Sequence, residues 1–298
     1  MTDDVWDLAV VGAGMAGLTA ATVAAEHGAR TVALDRLAPG GQLINLGDVS
    51  DYPGLPVKTS GPDLAGTLLE NAMSAGVEIS YTEVTELTTG SPHTVRTLDG
   101  SVAATTVVVA TGLAPGRLDV PGADEWAGRG LSECASCDGP LFTGQRVVVV
   151  GDDDWAAQEA VELAGVAAHV TVLLPGPSPL WSARRAAILA ASGVAVREGA
   201  VVVGIDGDRT VTGIRLADGV EIPATGVFAQ VGREPRSGLV EGVLKRAADG
   251  RITGTPDADA PGLHVAGPVR AGVSDHLIAA AADGLAAGLA AVADLQMR

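Results

Sequence analysis

The sequence predicts an α/β fold of two similar βαβ domains, the second inserted into the first. Three observations predict it. A short apolar run, a glycine-rich turn and an alanine-rich helix open the chain. The same order restarts at Val147. Pro/Gly-rich stretches, Leu113–Pro121 and Val231–Pro235, flank the restart and read as the outgoing and returning linkers. The expected division is 1–114 with 243–298, and 115–242 inserted between them.

Each element has its own reason. Trp6–Val11 is an apolar run of strand length. Gly12-Ala13-Gly14-Met15-Ala16-Gly17 follows, then alanines to about His27. Thr31–Leu34 is the next strand and ends in Asp35, 18 residues after the last glycine. In this order the glycines permit a tight turn, close backbone approach to a pyrophosphate, and helix–strand packing. The helix N-terminus then faces the phosphates. Asp35 is placed to accept hydrogen bonds from a ribose. The turn therefore predicts a dinucleotide, and both domains read as Rossmann-like, three-layer ββα units.

The pattern continues with Gly40-Gly41-Gln42-Leu43 and a loop through Asp51-Tyr52-Pro53-Gly54. A helix is expected from about Gly61 to Ala75. Val77–Thr106 reads as an antiparallel meander, with turn signals at Thr89–Pro92 and Asp99-Gly100. Thr105–Ala110 reads as a buried strand closed by Thr111-Gly112. In the repeat, Val147–Val150 enters Gly151, which corresponds to Gly12. An Ala/Glu helix runs to about Gly165, and Val170–Leu174 is the next strand. A second meander spans about Val194–Ile222, and Gly226–Val231 is a buried strand. Gly262–Ala266, Gly267 and an alanine-rich helix from about Ser274 end the sequence.

The chain holds only two cysteines, in Cys134-Ala135-Ser136-Cys137-Asp138-Gly139. The pair reads as a redox couple; half of a metal site or an inert pair are the alternatives. Zinc takes four N/S ligands in closely spaced pairs. The five histidines, His27, His93, His169, His264 and His276, show no such pairing, so no metal is expected. At a helix start, one thiol of a C-x-x-C pair is acidified. Asp138 is placed to move the proton that exchange requires.

The net charge is −17 over 298 residues. That argues against nucleic acid and against anionic membrane surfaces as partners. No uninterrupted apolar run reaches the ~18 residues that span a bilayer. The acidic N-terminus has no signal-peptide character. A cytoplasmic protein is expected.

G-A-G-M-A-G, G-G-Q-L, V-V-V-A-T-G, C-A-S-C-D-G-P-L-F and the late P-G-L-H-V-A-G occur in one order. In that order the chain resembles the low-molecular-weight thioredoxin reductases over nearly its whole length. From Val120 to Gly165 it is also similar to the flavoprotein subunit of alkyl hydroperoxide reductase. The resemblance implies FAD in the first domain, a homodimer, and a disulfide that alternates between flavin and an outside partner. It implies that Cys137 faces the flavin, Cys134 exchanges with the partner, and Asp138 donates the proton. The partner is then a thioredoxin-like protein or a small dithiol or disulfide. FAD contacts are implied for Gly12, Ala13, Gly14, Met15, Ala16, Gly17, Asp35, Arg36, Gly41, Gln42, Leu43, Asp51, Val84, Ala110, Thr111, Gly112, Gly267, His276 and Leu277.

The departures shape the functional expectation. The family's second domain binds NADPH through a G-x-G-x-x-A turn. Here the turn is Gly151-Asp152-Asp153-Asp154-Trp155-Ala156. Asp153 stands where backbone would meet pyrophosphate. Two like charges ~4 Å apart cost about 4 kcal/mol at an effective dielectric of ~20, roughly a thousandfold in affinity. The basic cluster expected for a 2′-phosphate is replaced by Leu174-Pro175-Gly176, with Arg184 and Arg185 further on. Pro268 replaces the Asp that follows the late glycine, and Asp275-His276 replaces Arg-Gln. The expectation is an FAD-dependent thiol–disulfide oxidoreductase that runs without NAD(P)H, using oxygen or another electron partner. The family includes such branches, dithiol oxidases and ferredoxin-driven reductases. The oxidases carry His after the second cysteine, where Asp138 keeps the reductase pattern. An NADPH-dependent reductase with an unusual turn and a non-catalytic redox sensor are the other readings.

Overall fold

The computed structural model describes residues 5–47, 49, 52–56, 59–253 and 260–298. The chain divides into two units, Met1–Ala114 with Glu234–Arg298, and Pro115–Arg233.

In the first unit β1 (Trp6–Val11), α1 (Met15–Glu26) and β2 (Thr31–Asp35) form the opening βαβ motif. After α2 (Gly61–Ser74) come β3 (Glu78–Tyr81), β4 (Val84–Thr88), β5 (His93–Thr97) and β6 (Gly100–Val109). The order across the sheet is β3-β2-β1-β6-β5-β4. Two corrections to the expected meander follow. β3 pairs in parallel with β2 and extends the main sheet. β6 is one long strand: its first half pairs antiparallel with β5 and its second half parallel with β1. Alternating edge residues such as Glu78–Tyr81 do not identify which neighbour they pair with.

The chain leaves and re-enters the unit through β7 (Leu113–Pro115) and a partner strand described below. The second unit holds α3 (Ala123–Trp126), β8 (Leu131–Ser132), α4 (Ala135–Asp138), β9 (Arg146–Val150), α5 (Asp154–Ala164), β10 (His169–Leu173) and α6 (Ala183–Ala191). β11 (Ala195–Arg197), β12 (Val202–Gly207), β13 (Val211–Leu216), β14 (Glu221–Pro223) and β15 (Gly226–Ala229) complete it. β11-β10-β9-β15-β8 is a wholly parallel sheet. Val147, Val149 and Phe228 on one face pack with α5 and α6. Val148, Val150 and Val227 on the other pack against the antiparallel β12-β13-β14 sheet. Helix, parallel sheet and antiparallel sheet make the three layers. The expected second meander is therefore split, because β11 joins the parallel sheet.

β16 (Arg233–Pro235) pairs with β7 at the crossings. The return to the first unit falls at Glu234, earlier than the expected 243. Ser237 and Val240 are already buried in the first unit, where Val240 packs against Ile252 and Leu263. β17 (Leu263–Val265) then pairs with β6, and α7 (Leu277–Gln296) closes the chain.

By length and mean hydropathy α7 is apolar enough to cross a membrane, although Asp283 and Asp294 interrupt its apolar run. It packs closely on α1, with 33% of its most apolar stretch buried. A Cβ on Gly284 or Gly288 would collide with backbone of Ala16 or Ala20. Its two acids are engaged by Arg270 and by His264.

Candidate active site

The cysteine turn is built by local chemistry. Cys134 and Cys137 form a disulfide, with Cα atoms 5.4 Å apart. Cys134 is the N-cap of α4, and its sulfur accepts the Cys137 N–H at 3.2 Å. Ser132 supports the turn from one side. Its Oγ accepts the Cys134 N–H at 3.1 Å and donates to Asp138 Oδ2 at 2.6 Å. Gln230 donates to the Glu133 carbonyl at 2.8 Å. From the α5 side the Ala135 N–H donates to Glu159 Oε2. Glu159 is 2% exposed, and burial pushes its carboxyl up to about 8, opposed by that same hydrogen bond. Asp138 and both sulfurs thus share one five-residue turn, Cys134–Asp138, with its backbone held from both sides.

The turn between β1 and α1 is open at its centre. A Cβ on Gly12, where φ is +99°, would lie 2.5 Å from the Ala110 carbonyl oxygen, and one on Gly17 would lie 1.8 Å from Gly12 O. Gly14 is different: its nearest neighbour would be Gly41 Cα at 3.8 Å. α1 starts at Gly14 with no side-chain cap and no acid in its first turn. Asp35 is fixed beside it, accepting the Ala13 and Leu37 N–H groups at 2.9 and 3.1 Å. An uncapped helix start beside a held carboxylate suits a pyrophosphate and ribose, so these residues fit the dinucleotide end of FAD.

The matching turn between β9 and α5 is closed. The Ala156 N–H donates to Asp153 Oδ1 at 2.9 Å, so Asp153 caps the helix. The Ser182 N–H donates to Asp154 Oδ1 at 2.6 Å, and the Leu180 N–H to the Asp152 carbonyl at 2.7 Å. The Arg233 guanidinium lies 3.9 Å above the Trp155 ring. Arg185 donates to Gln158 at 3.0 Å, and Arg184 is exposed on the first turn of α6.

The remaining expected residues are spread around the first unit. Gln42 donates to the Leu113 carbonyl at 3.2 Å, and Leu43 is buried in the core. Met15 and Ala16 are also core side chains, which leaves their backbone to meet a ligand. Ala110 sits under Gly12; Thr111 donates to the Arg236 carbonyl at 2.7 Å, and the Arg236 N–H to the Gly112 carbonyl at 3.0 Å. Arg36 is exposed, and Val84 opens β4 and packs on the opposite face of the sheet. The Gly267 N–H donates to Asp283 Oδ2 at 2.8 Å, and Asp283 pairs with Arg270. Pro268 offers its carbonyl to Arg251, which also binds Asp275. His276 is the exposed N-cap of α7, and Leu277 packs on the core. Asp51 lies outside the described residues.

Sequence reasoning missed Ser132, Glu159 and Gln230. For Glu159 a signal existed. It falls between Ala156 and Leu163 on the buried stripe of α5, where a carboxylate is out of place.

Two dinucleotide-type units with one disulfide turn define the class, a disulfide oxidoreductase. The pyridine nucleotide-disulphide oxidoreductase model matches residues 6–284. The chain is 32% identical over 295 residues to thioredoxin reductase of Treponema pallidum (strain Nichols), covering 96% of each. Lactococcus lactis thioredoxin reductase (FR conformation) superposes with TM-score 0.92 at 28% identity, covering 98% of this chain and 100% of that one. A ferredoxin-flavin thioredoxin reductase from Clostridium acetobutylicum superposes with TM-score 0.54 at 25% identity, covering 99% and 98%. The chain belongs to the pyridine nucleotide-disulphide oxidoreductase family, as a flavoprotein disulfide oxidoreductase of the thioredoxin reductase type.

Proposed function

We propose that the protein relays two electrons between FAD and an external dithiol or disulfide through Cys134 and Cys137, without NAD(P)H. When bound, FAD supplies the two-electron carrier; Gly12–Gly17 and Asp35 hold its dinucleotide end. An external thiolate attacks Cys134, the Cys134–Cys137 bond breaks, and Cys137 leaves as thiolate. The second external thiol closes the substrate disulfide and releases Cys134. The substrate loses two electrons and two protons, and the pair gains the electrons. Asp138, fixed by Ser132, is placed to carry a proton. The substrate is a thioredoxin-like protein or a small dithiol. The working form is a cytoplasmic homodimer, with oxygen or another protein as the electron partner.

The observation that carries nucleotide independence is the closed second turn. A phosphate there would displace the Asp153 cap and meet three acidic side chains. The Clostridium neighbour is called a ferredoxin-flavin thioredoxin reductase, a name without a nicotinamide in it, which supports a nucleotide-free branch on this fold. The second reading, an NADPH-dependent reductase, is favoured by Arg184 and Arg185 at the start of α6.

Cys137→Ser tests the relay. Anaerobic dithiothreitol reduces the wild-type flavin and leaves the variant's flavin oxidised. Reduction of the variant at the wild-type rate contradicts the relay.

A further inference from the structure

Glu159 has no part in the exchange chemistry above, yet its carboxyl reaches the cysteine turn. It lies on α5 at 2% exposure, and its Oε2 accepts the N–H of Ala135, the residue directly after Cys134. Ala135 is itself buried, so water does not compete for that hydrogen bond. The charges that reach Glu159 are Glu162 on its own helix and Arg233 on β16, and they oppose each other. Asp138 at the other end of α4 is held by Ser132, on a different partner. One buried carboxyl therefore contacts the backbone between the two sulfurs.

We infer that Glu159 is a positioning residue that links a proton to the Cys134–Cys137 couple: neutral, it favours the reduced pair, and ionised, it opposes it. The inference rests on the pair cycling between disulfide and dithiol. Reduction breaks the S–S bond and adds two electrons from the external dithiol. A thiolate left on Cys134 stands one residue from the Glu159 contact. Two negative charges that close repel each other, and the burial of Glu159 leaves its carboxylate little water to screen the repulsion. Above the carboxyl's titration, reduction therefore draws a proton onto Glu159, and that proton comes from the external dithiol. Below it, Glu159 already holds its proton and adds no pH dependence. Burial raises the carboxyl to about 8, so the change falls in an accessible range.

The test equilibrates the purified holoprotein anaerobically with glutathione buffers at pH 6 and pH 9. The reduced pair is counted by alkylation and mass spectrometry. Glu159→Gln keeps an oxygen acceptor for the Ala135 N–H and cannot ionise. The expected ratio of reduction constants, variant over wild type, is near one at pH 6 and about tenfold at pH 9, the effect of roughly one pKa unit. A ratio that is the same at both pH values overturns the inference, since it marks a purely structural role. Glu159→Ala, which also loses the hydrogen bond, is expected to lower disulfide stability at both pH values and separates the two roles if the Gln variant folds poorly. A wild-type pair that glutathione never reduces contradicts the relay itself.

Discussion

The Ala156 N–H donates to the Asp153 carboxylate across 2.9 Å. The equivalent helix start in the first unit, at Gly14, has no side-chain cap. One sequence motif has thus been used twice, open in one unit and closed by its own acid in the other. The contrast is what supports the proposed nucleotide independence: the first turn is left open, and the second is capped by its own acid.

If Asp153 serves as a cap, Asp153→Ala costs about 1 kcal/mol of stability, while Asp153→Gly costs only a few tenths. Urea denaturation of both variants checks this. Equal losses would show that the carboxylate is not capping.

Opening the acidic turn is expected to restore some nucleotide affinity. Asp152→Gly with Asp153→Gly removes two like charges, and NADPH binding by calorimetry rises at least tenfold. An unchanged affinity points to the segment at Leu180–Ser182, held by Asp152 and Asp154, as the larger obstacle.

Gly12→Ala places a methyl 2.5 Å from the Ala110 carbonyl at a φ of +99°. The expected outcome is protein purified with little flavin and reduced stability, by about 1–3 kcal/mol. The 450 nm to 280 nm absorbance ratio reads the flavin content. A fully loaded variant would contradict the placement of the dinucleotide at this turn.

Ser132→Ala frees Asp138 without removing it. Dithiol-driven flavin reduction slows by about tenfold, less than the ~10²–10⁴ that loss of a general acid or base costs. Asp138→Asn is expected in that larger range. Stopped-flow absorbance compares them, and equal effects would make Ser132 as important as the acid.

A buried and a half-buried histidine set an acid limit on stability. His93 and His264 both lie below the ordinary histidine value, chiefly through burial; Asp294 opposes this at His264. His93 Nδ1 accepts the Gly90 N–H at 3.3 Å and its Nε2 faces the Pro261 carbonyl at 3.1 Å, a fit for the neutral ring. The unfolded chain therefore binds protons that the folded chain refuses, and stability falls as pH drops through the ordinary value of 6.5. Urea midpoints from pH 7.5 to 5 are expected to decline, and less steeply in His93→Gln. A flat wild-type profile contradicts this.

The opening βαβ motif was legible because three signals agree there: Trp6–Val11 is apolar at every position but Asp7, the glycines are spaced for a turn, and alanines fill α1. The disulfide was legible from count and spacing. β3 was not, since Glu78–Tyr81 is a half-exposed edge strand whose residues suit either neighbour. The return to the first unit is expected late, at 243, because nothing in the sequence after the Val231–Pro235 linker marks Ser237 and Val240 as already buried in that unit. Ser132 and Gln230 were hidden for another reason. Their role is to hold backbone groups of the cysteine turn, and no spacing rule connects positions 132 and 230 to it.

The most direct measurement is an anaerobic titration of the flavin absorbance with NADPH, set beside dithiothreitol. The account predicts bleaching by the dithiol and none by NADPH. Prompt bleaching by NADPH would contradict it and make the closed turn at Asp152–Asp154 compatible with nucleotide after all.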